Sequence, residues 1–424
     1  MTDSADPARL LAEGRIAEAE ALCERRLEEF PDDVTALNVA ALGALRRREP
    51  ARARDLFERS VRLAPTDAVA WHHLGRACEA IGDFPGALAA DEAAVRADPC
   101  EALPRLYYAR SLERQGDEAR ALIQFTRAIK QAQGAGLWLD AAGTPAPLRP
   151  IVEHAVLKVR NGNKALFEQL FAPLVSRYGR ASLERIYTAV RMYAGEQPTI
   201  YADPNQRPTF FYIPGLPTSP YFDRRVFGWI SDYEALGEVI RRELEVLLPG
   251  AGGRERVFHS DELEQANLRG DGVQPGWDGY YFYRYGKRRE DNCAACPATS
   301  AALDALPLIR IRDHGPEVLF SVFAPGTHLL PHRGVTNARA VSHLPLIVPP
   351  DCALSVGGQE HAWRVGRTVV FDDTYEHEAW NRSGETRVVL IADLWNPYLS
   401  EAECAAVADV IAAIGDLRAA AEVD

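Results

Sequence analysis

Three prolines, Pro31, Pro65 and Pro99, stand 34 residues apart in the contexts FPDD, APTD and DPCE. Nothing else in the chain narrows its fold as far. Gly14, Gly82 and Gly116 keep the same period, with Arg48 in the slot where a fourth glycine would fall. Ala19, Ala53, Ala87 and Ala121 keep it too. Each residue type has a mechanical reason to recur in a repeated pair of helices. Small residues let the two helices approach closely, and glycine at the turn tolerates positive φ. Proline after the second helix stops it. One such pair cannot bury its apolar face alone, so several stack into a short solenoid.

The stretch WHHLGRACEAIGDFPGAL (71–88) resembles the tetratricopeptide consensus, with Trp71, Leu74 and Gly75 at its spacing. Residues 1–133 are therefore expected to form tetratricopeptide-like repeats. Residues 134–202 stay helical in pattern, in PIVEHAVLKV, NKALFEQLFAPLVSRY and LERIYTAVRMY, but the period is gone. They are expected to cap the solenoid or pack on the next domain.

From about Gln206 the pattern changes. RPTFFYIPGLPTSPYFD is rich in proline and aromatics, as suits a segment that wraps a core. YEALGEVIRRELEVLL (233–248) reads as one helix. After Glu317 come short β-forming runs cut by Gly and Pro: EVLFSVFAPG, ARAVSHLPLIVPP, CALSVGG, RTVVFDDT and TRVVLIADLWNP. Strands at this spacing predict a β-sandwich or barrel such as a jelly roll over residues 203–424. SEAECAAVADVIAAIGDL (400–417) reads as a closing helix, with Ser400 as N-cap and Glu403 in capping-box register. The fold class expected is an α-solenoid followed by a double-stranded β-helix of cupin type.

Charge and hydropathy narrow the partners. The 424 residues carry a net charge of -12, so no basic surplus exists to neutralise nucleic-acid phosphates. No run of about 18 uncharged apolar residues predicts a membrane span. The acidic start MTDSADPARLLAEGRIAEAEA lacks the basic and apolar regions of a secretory signal. Seven scattered cysteines do not make a disulfide framework. A cytoplasmic protein is the expectation.

The chemistry is concentrated in the second half. His332 is followed 45 residues later by His377, and Arg387 comes ten residues after that. In a jelly roll these separations bring both histidines to one mouth, with the arginine facing in from a neighbouring strand. Neutral imidazole suits Fe, Zn, Cu or Ni. A buried arginine needs an anion, and its fork matches a carboxylate. Two imidazoles and such an arginine would serve a metal chelated by a 2-oxo acid. That combination points to an Fe(II)- and 2-oxoglutarate-dependent oxygenase using O2.

SVFAPGTHLLPHRGVTNARAVSHLPLIVP, WRVGRTVVFDDTYEHEAWN and TRVVLIADLWNP, in that order, resemble the aspartyl/asparaginyl β-hydroxylase family over residues 205–400. RPTFFYIPGL and GWDGYYFYRYGKRREDNCAACPAT fit it as well. The resemblance implies that His332 and His377 hold iron and that Arg387 takes the C5 carboxylate of 2-oxoglutarate. Ser321 and His343 match positions that contact the same cosubstrate, and Trp277 lines its pocket. A hydrogen-bonded core histidine is the competing reading of His343. Where many iron oxygenases carry an acid, two residues after the first histidine, this chain has Gly334; in this family that position is glycine, and water fills the gap.

Asp372 and Asp373 are read as turning the chain and bonding locally, and His328 as structural. Cys293 and Cys296 read as two plain thiols. Val341 stands where the family commonly has an arginine that grips an acidic substrate, and Arg339 is nearby. DELEQANLRGDGVQPGW (261–277) has no clean match to the family's substrate-recognising residues. The expected activity is hydroxylation of an aspartyl, asparaginyl or related residue in a protein or peptide recruited by the repeats. Alternatives are a free amino acid, a peptide natural product or a lipid acyl chain as substrate, another cupin-like metalloenzyme, or a repeat scaffold with a decayed oxygenase domain. The repeats could equally serve self-association.

Overall fold

The structure is a computed structural model that describes residues 7–248, 253–258, 266–270 and 276–422. It divides into two compact units, Met1–Ala165 with Leu417–Asp424, and Leu166–Asp416.

In the first unit the helices Ile16–Glu29, Val34–Arg46, Pro50–Leu63, Ala68–Ala80, Phe84–Ala97, Ala102–Arg114 and Glu118–Gly134 follow one another as antiparallel neighbours. The three periodic prolines fall just after helices that end at Glu29, Leu63 and Ala97. Gly82 and Gly116 both turn at φ 81. Arg48, in the glycine slot, adopts the same left-handed region at φ 61, a conformation that costs a side chain about 1–2 kcal/mol. Asp33, Asp67, Asp83 and Asp117 cap the helices that follow them, each accepting from a backbone N–H three residues on. Ala19, Ala53, Ala87 and Ala121 are all buried where helices meet. The repeats also bury charge in pairs. Asp91, fully buried, accepts two bonds from Arg76 at 2.7 and 2.6 Å and one from Ser111 at 2.6 Å.

The two helical stretches expected from 150 to 178 join into one helix, Arg149–Tyr178. Its C-terminal part and helix Glu184–Tyr193 share a core with helix Glu401–Glu422 in the second unit. The latter opens with the expected capping box: Ser400 N–H donates to Glu403 Oε2 at 2.9 Å, and Glu403 N–H to Ser400 Oγ at 3.3 Å. The helix expected over 233–248 breaks at Leu236 into Ile230–Ala235 and Gly237–Leu247.

The second unit carries twelve described strands: β1 (Arg254–Arg256), β2 (Leu268–Gly270), β3 (Trp277–Arg284), β4 (Lys287–Arg288), β5 (Val318–Phe323), β6 (Thr327–His332), β7 (Arg339–Ile347), β8 (Cys352–Val356), β9 (Gln359–Ala362), β10 (Val369–Phe371), β11 (His377–Asn381) and β12 (Arg387–Trp395). They form two antiparallel sheets, ordered β1-β3-β5-β12-β7-β10 with β4 on β3, and β2-β6-β11-β8-β9. Chain-adjacent strands such as β5 and β6, or β11 and β12, lie in different sheets, the jelly-roll signature. The outer face of the larger sheet packs under helices Gly237–Leu247 and Pro297–Asp304. Its inner face meets the smaller sheet in a core of Phe323, Leu329, Leu354, Phe371, Ala379 and Val389. The proline- and aromatic-rich segment wraps this unit, with Phe211 bridging to Thr336 and Tyr221 to Phe371.

β6, β9 and β11 carry no strong β-pattern in the sequence. His332 closes β6 and His377 opens β11.

Candidate active site

β6 and β11 pair so that His332 and His377 face each other in register, with ring centroids 4.1 Å apart. Both imidazoles are fixed alike. His332 Nδ1 lies 2.9 Å from the Leu330 carbonyl and His377 Nδ1 3.1 Å from the Tyr375 carbonyl. A carbonyl only accepts, so each Nδ1 carries the proton and each Nε2 lone pair remains available as a metal ligand. Burial, then the neighbouring His332, pushes His377 down to about 4, so it is a neutral imidazole at physiological pH.

Both rings line a cavity of about 200 Å³ between the sheets. Its larger-sheet wall is set by β-alternation, which turns every second residue the same way. β12 contributes Arg387, Ile391 and Asp393, β5 Ser321, Leu319 and Phe323, and β7 Arg339, Val341 and His343. Arg387 is 1% exposed, and among the described residues no carboxylate pairs with it. Its guanidinium stacks on Phe323 and Trp363, at 3.8 and 4.6 Å from the ring centroids. Among the described residues its polar contact is a long 3.4 Å bond to Ser321 Oγ, and its Nε is buried without a partner. Burial pushes it down to about 9. Trp277 Nε1 donates to the same Ser321 oxygen at 2.9 Å. His343 is buried against Phe371 with Nδ1 unpartnered, and burial followed by the Arg387 charge holds it well below its ordinary pKa. The six residues singled out from the sequence, His332, His377, Arg387, Ser321, His343 and Trp277, all line this one cavity.

Gly334 has a steric reason. A Cβ there would fall on the Asp373 carboxylate. The Asp373 carboxylate, from the loop between β10 and β11, thus occupies the space that a side chain at 334 would need. Of the expectation that Asp372 and Asp373 turn the chain and bond locally, the turn holds, at Asp373, but the Asp373 side chain does not bond locally. Asp372 does bond locally, accepting from Thr374 N at 2.9 Å and from Gln206 at 2.6 Å. Asp373 instead faces the cavity, pairs with Arg339 and keeps Oδ1 buried without a donor. Arg339 also reaches Asp393 at 3.0 Å. Sequence spacing missed this triad because its members lie on separate elements, although Asp373 stands only four residues before His377.

His328 lies outside the cavity lining and bonds Glu378 at 2.7 Å. Cys293 and Cys296 are free thiols in the outer core. Residues 261–265 and 271–275, most of the stretch without a substrate-recognition match, lie outside the described residues. Among the described residues no helix is long and apolar enough to cross a membrane.

Residues 234–397 match the family model described as Aspartyl/Asparaginyl beta-hydroxylase, and residues 9–68, 38–102 and 74–136 match that of the tetratricopeptide repeat. The chain is 30% identical over 250 residues to "Aspartate beta-hydroxylase domain-containing protein 2" of Homo sapiens, covering 57% of this chain and 65% of that one. It is 30% identical to the Mus musculus protein of the same name, covering 57% of this chain and 68% of that one. It is 34% identical over 190 residues to "Ornithine lipid ester-linked acyl 2-hydroxylase" of Rhizobium tropici, covering 44% and 64%. The chain thus spans just under two thirds of the length of the human and Rhizobium relatives.

Proposed function

This chain belongs to the aspartyl/asparaginyl β-hydroxylase family and carries tetratricopeptide repeats, and on that premise we propose that it is an Fe(II)- and 2-oxoglutarate-dependent hydroxylase. The observation that carries the proposal is Arg387. A guanidinium at 1% exposure with no anion is costly unless a ligand supplies one. It lines the same cavity as two imidazoles whose Nε2 lone pairs are free.

In this reading His332 and His377 hold the metal. Bound iron with O2 supplies the oxidising chemistry, coupling decarboxylation of 2-oxoglutarate to insertion of one oxygen atom into a C–H bond. The chain's own residues do the rest. Arg387 takes the C5 carboxylate in a two-pronged contact. Ser321, itself held by Trp277 Nε1, offers a hydroxyl beside it. His343 is kept neutral by burial and adds a hydrogen-bonding nitrogen with no opposing charge. Phe371, Leu354, Leu329 and Ala379 make the remaining wall apolar and exclude water. Asp373, in the space above Gly334, is paired with Arg339 and lines the same cavity as the two histidines.

The proposed substrate class is an amino-acid residue of a protein or peptide that the repeats recruit. A second reading, a small molecule with an aliphatic chain, is favoured by the apolar lining of Val341, Leu319 and Ile391 and by the acyl substrate in the Rhizobium relative's name.

The test is succinate formation from 2-oxoglutarate by the full chain with Fe(II) in air. Succinate is expected with the wild type and is lost with Arg387→Met. No 2-oxoglutarate binding by the wild type, or no dependence on Arg387, would sink the proposal.

A further inference from the structure

The cavity is electrically lopsided along β12. Arg387 and Asp393 are six residues apart on one inward-facing stripe, a distance of roughly 20 Å at strand rise. Around Arg387 the lining is aromatic and neutral: Phe323, Trp277 and Ser321. Around Asp393 it is acidic. Glu317 sits opposite Asp393, with Asp393 N–H donating to the Glu317 carbonyl at 3.1 Å. Val341 is the Cα partner of Asp393 on the other side. Asp373 completes the end through Arg339.

Three carboxylates, Glu317, Asp373 and Asp393, therefore meet one guanidinium that is shared between two of them. Glu317 is the one left over. Its Oε1 accepts the Tyr285 N–H, and among the described residues no cation forms an ion pair with it. The nearby Arg284 pairs with Glu255 instead. Burial, together with the Asp393 charge, pushes Glu317 up to about 7, the mark of a carboxylate that lacks a counterion. A second, separate observation points the same way: Asp373 Oδ1, in the lining of the same cavity, is buried with no donor among the described residues. Two acceptors facing one cavity, with an apolar Val341 between strands, form a receptor for N–H donors. An acidic group placed here would meet three carboxylates offset by a single guanidinium.

We propose that the hydroxylated substrate carries a cationic nitrogen, an ammonium or guanidinium, that pairs with Glu317 at the end of the cavity remote from Arg387. The assignment rests on the cosubstrate reading only in reserving the Arg387 end for 2-oxoglutarate. It extends that reading by naming the charge of the group that must enter opposite.

The test uses three probes of equal length, pentylamine, pentan-1-ol and pentanoate. Each is titrated calorimetrically into the full chain, alone and with Mn(II) and 2-oxoglutarate, and 2-oxoglutarate is titrated separately. Pentylammonium is expected to bind more tightly than either other probe by about tenfold, the value of one charge-assisted hydrogen bond. Glu317→Gln removes that preference and leaves 2-oxoglutarate affinity unchanged. Val341→Arg, which puts a cation at the same end, turns the preference toward pentanoate. The proposal is overturned if pentylammonium does not bind, if pentanol or pentanoate binds as tightly, or if Glu317→Gln leaves the order intact. Loss of 2-oxoglutarate binding alone, with the pentylammonium preference retained, counts against the cosubstrate reading and for the cation site.

Discussion

The two units bury charge in opposite ways. In the repeats, Asp91 is fully buried, yet Arg76 and Ser111 saturate it with three short bonds. In the jelly roll, Arg387 is buried almost as deeply, and among the described residues its polar contact is a 3.4 Å bond to a hydroxyl. Burying a charge is costly in either place. The repeat unit settles that cost within the chain, so Asp91 is a structural element. The jelly roll leaves it open among the described residues, and the carboxylate of a ligand would close it. A buried charge by itself says little; whether the chain completes its shell separates scaffold from site.

The contrast can be broken at either end. His377→Ala removes one of the two imidazoles and should lower succinate release by at least about 100-fold, with the repeat unit's unfolding unchanged; activity that survives with normal metal dependence would remove the histidine pair from the site. Arg76→Met leaves Asp91 buried with only Ser111, and should cost about 3 kcal/mol on urea unfolding without altering the apparent KM for 2-oxoglutarate. Arg387→Met should do the reverse. Losing a two-pronged charged contact raises that KM by about 100-fold, while the melting temperature holds or rises, because an uncompensated buried charge is gone.

A smaller effect sharpens the comparison through pH. His72, in the repeats, is held down to about 3, first by burial and then by the Arg76 charge. Its folded form refuses a proton that the unfolded chain accepts below pH 6.5. The stabilisation is thus complete above pH 6.5 and is lost as pH falls toward 3. By pH 5 the loss is roughly 2 kcal/mol. The fall in unfolding free energy between pH 7 and pH 5 should be about 2 kcal/mol smaller in His72→Gln than in the wild type, the remainder coming from other buried histidines such as His377; an equal fall in both would remove His72 as a contributor.

Legibility followed the range of the interactions. The repeats were readable because each contact is local and recurs: Pro31, Pro65 and Pro99 mark three helix ends by one rule, and Gly82 and Gly116 mark two turns. Arg48 shows the limit, since the left-handed turn persists there without glycine. The strands after Glu317 were readable where β-branched runs were long, as in β5, β7 and β12. β6 and β11 were not, because THLLPH and HEAWN lack a clear alternation and hold their place by pairing with each other.

The sequence by itself determined the repeat period, the jelly-roll grammar and the grouping of His332, His377 and Arg387, because residue type and spacing along the chain point to those, while Ser321, His343 and Trp277 came from the family resemblance. Only the tertiary structure decided what surrounds them. That Asp373 fills the space above Gly334, that Arg339 is shared between Asp373 and Asp393, and that Glu317 is left without a cation depend on side chains from β5, β7, β12 and the β10–β11 loop converging in one cavity. Charge pairing across strands is set by the register between them, and no spacing along the chain encodes that register.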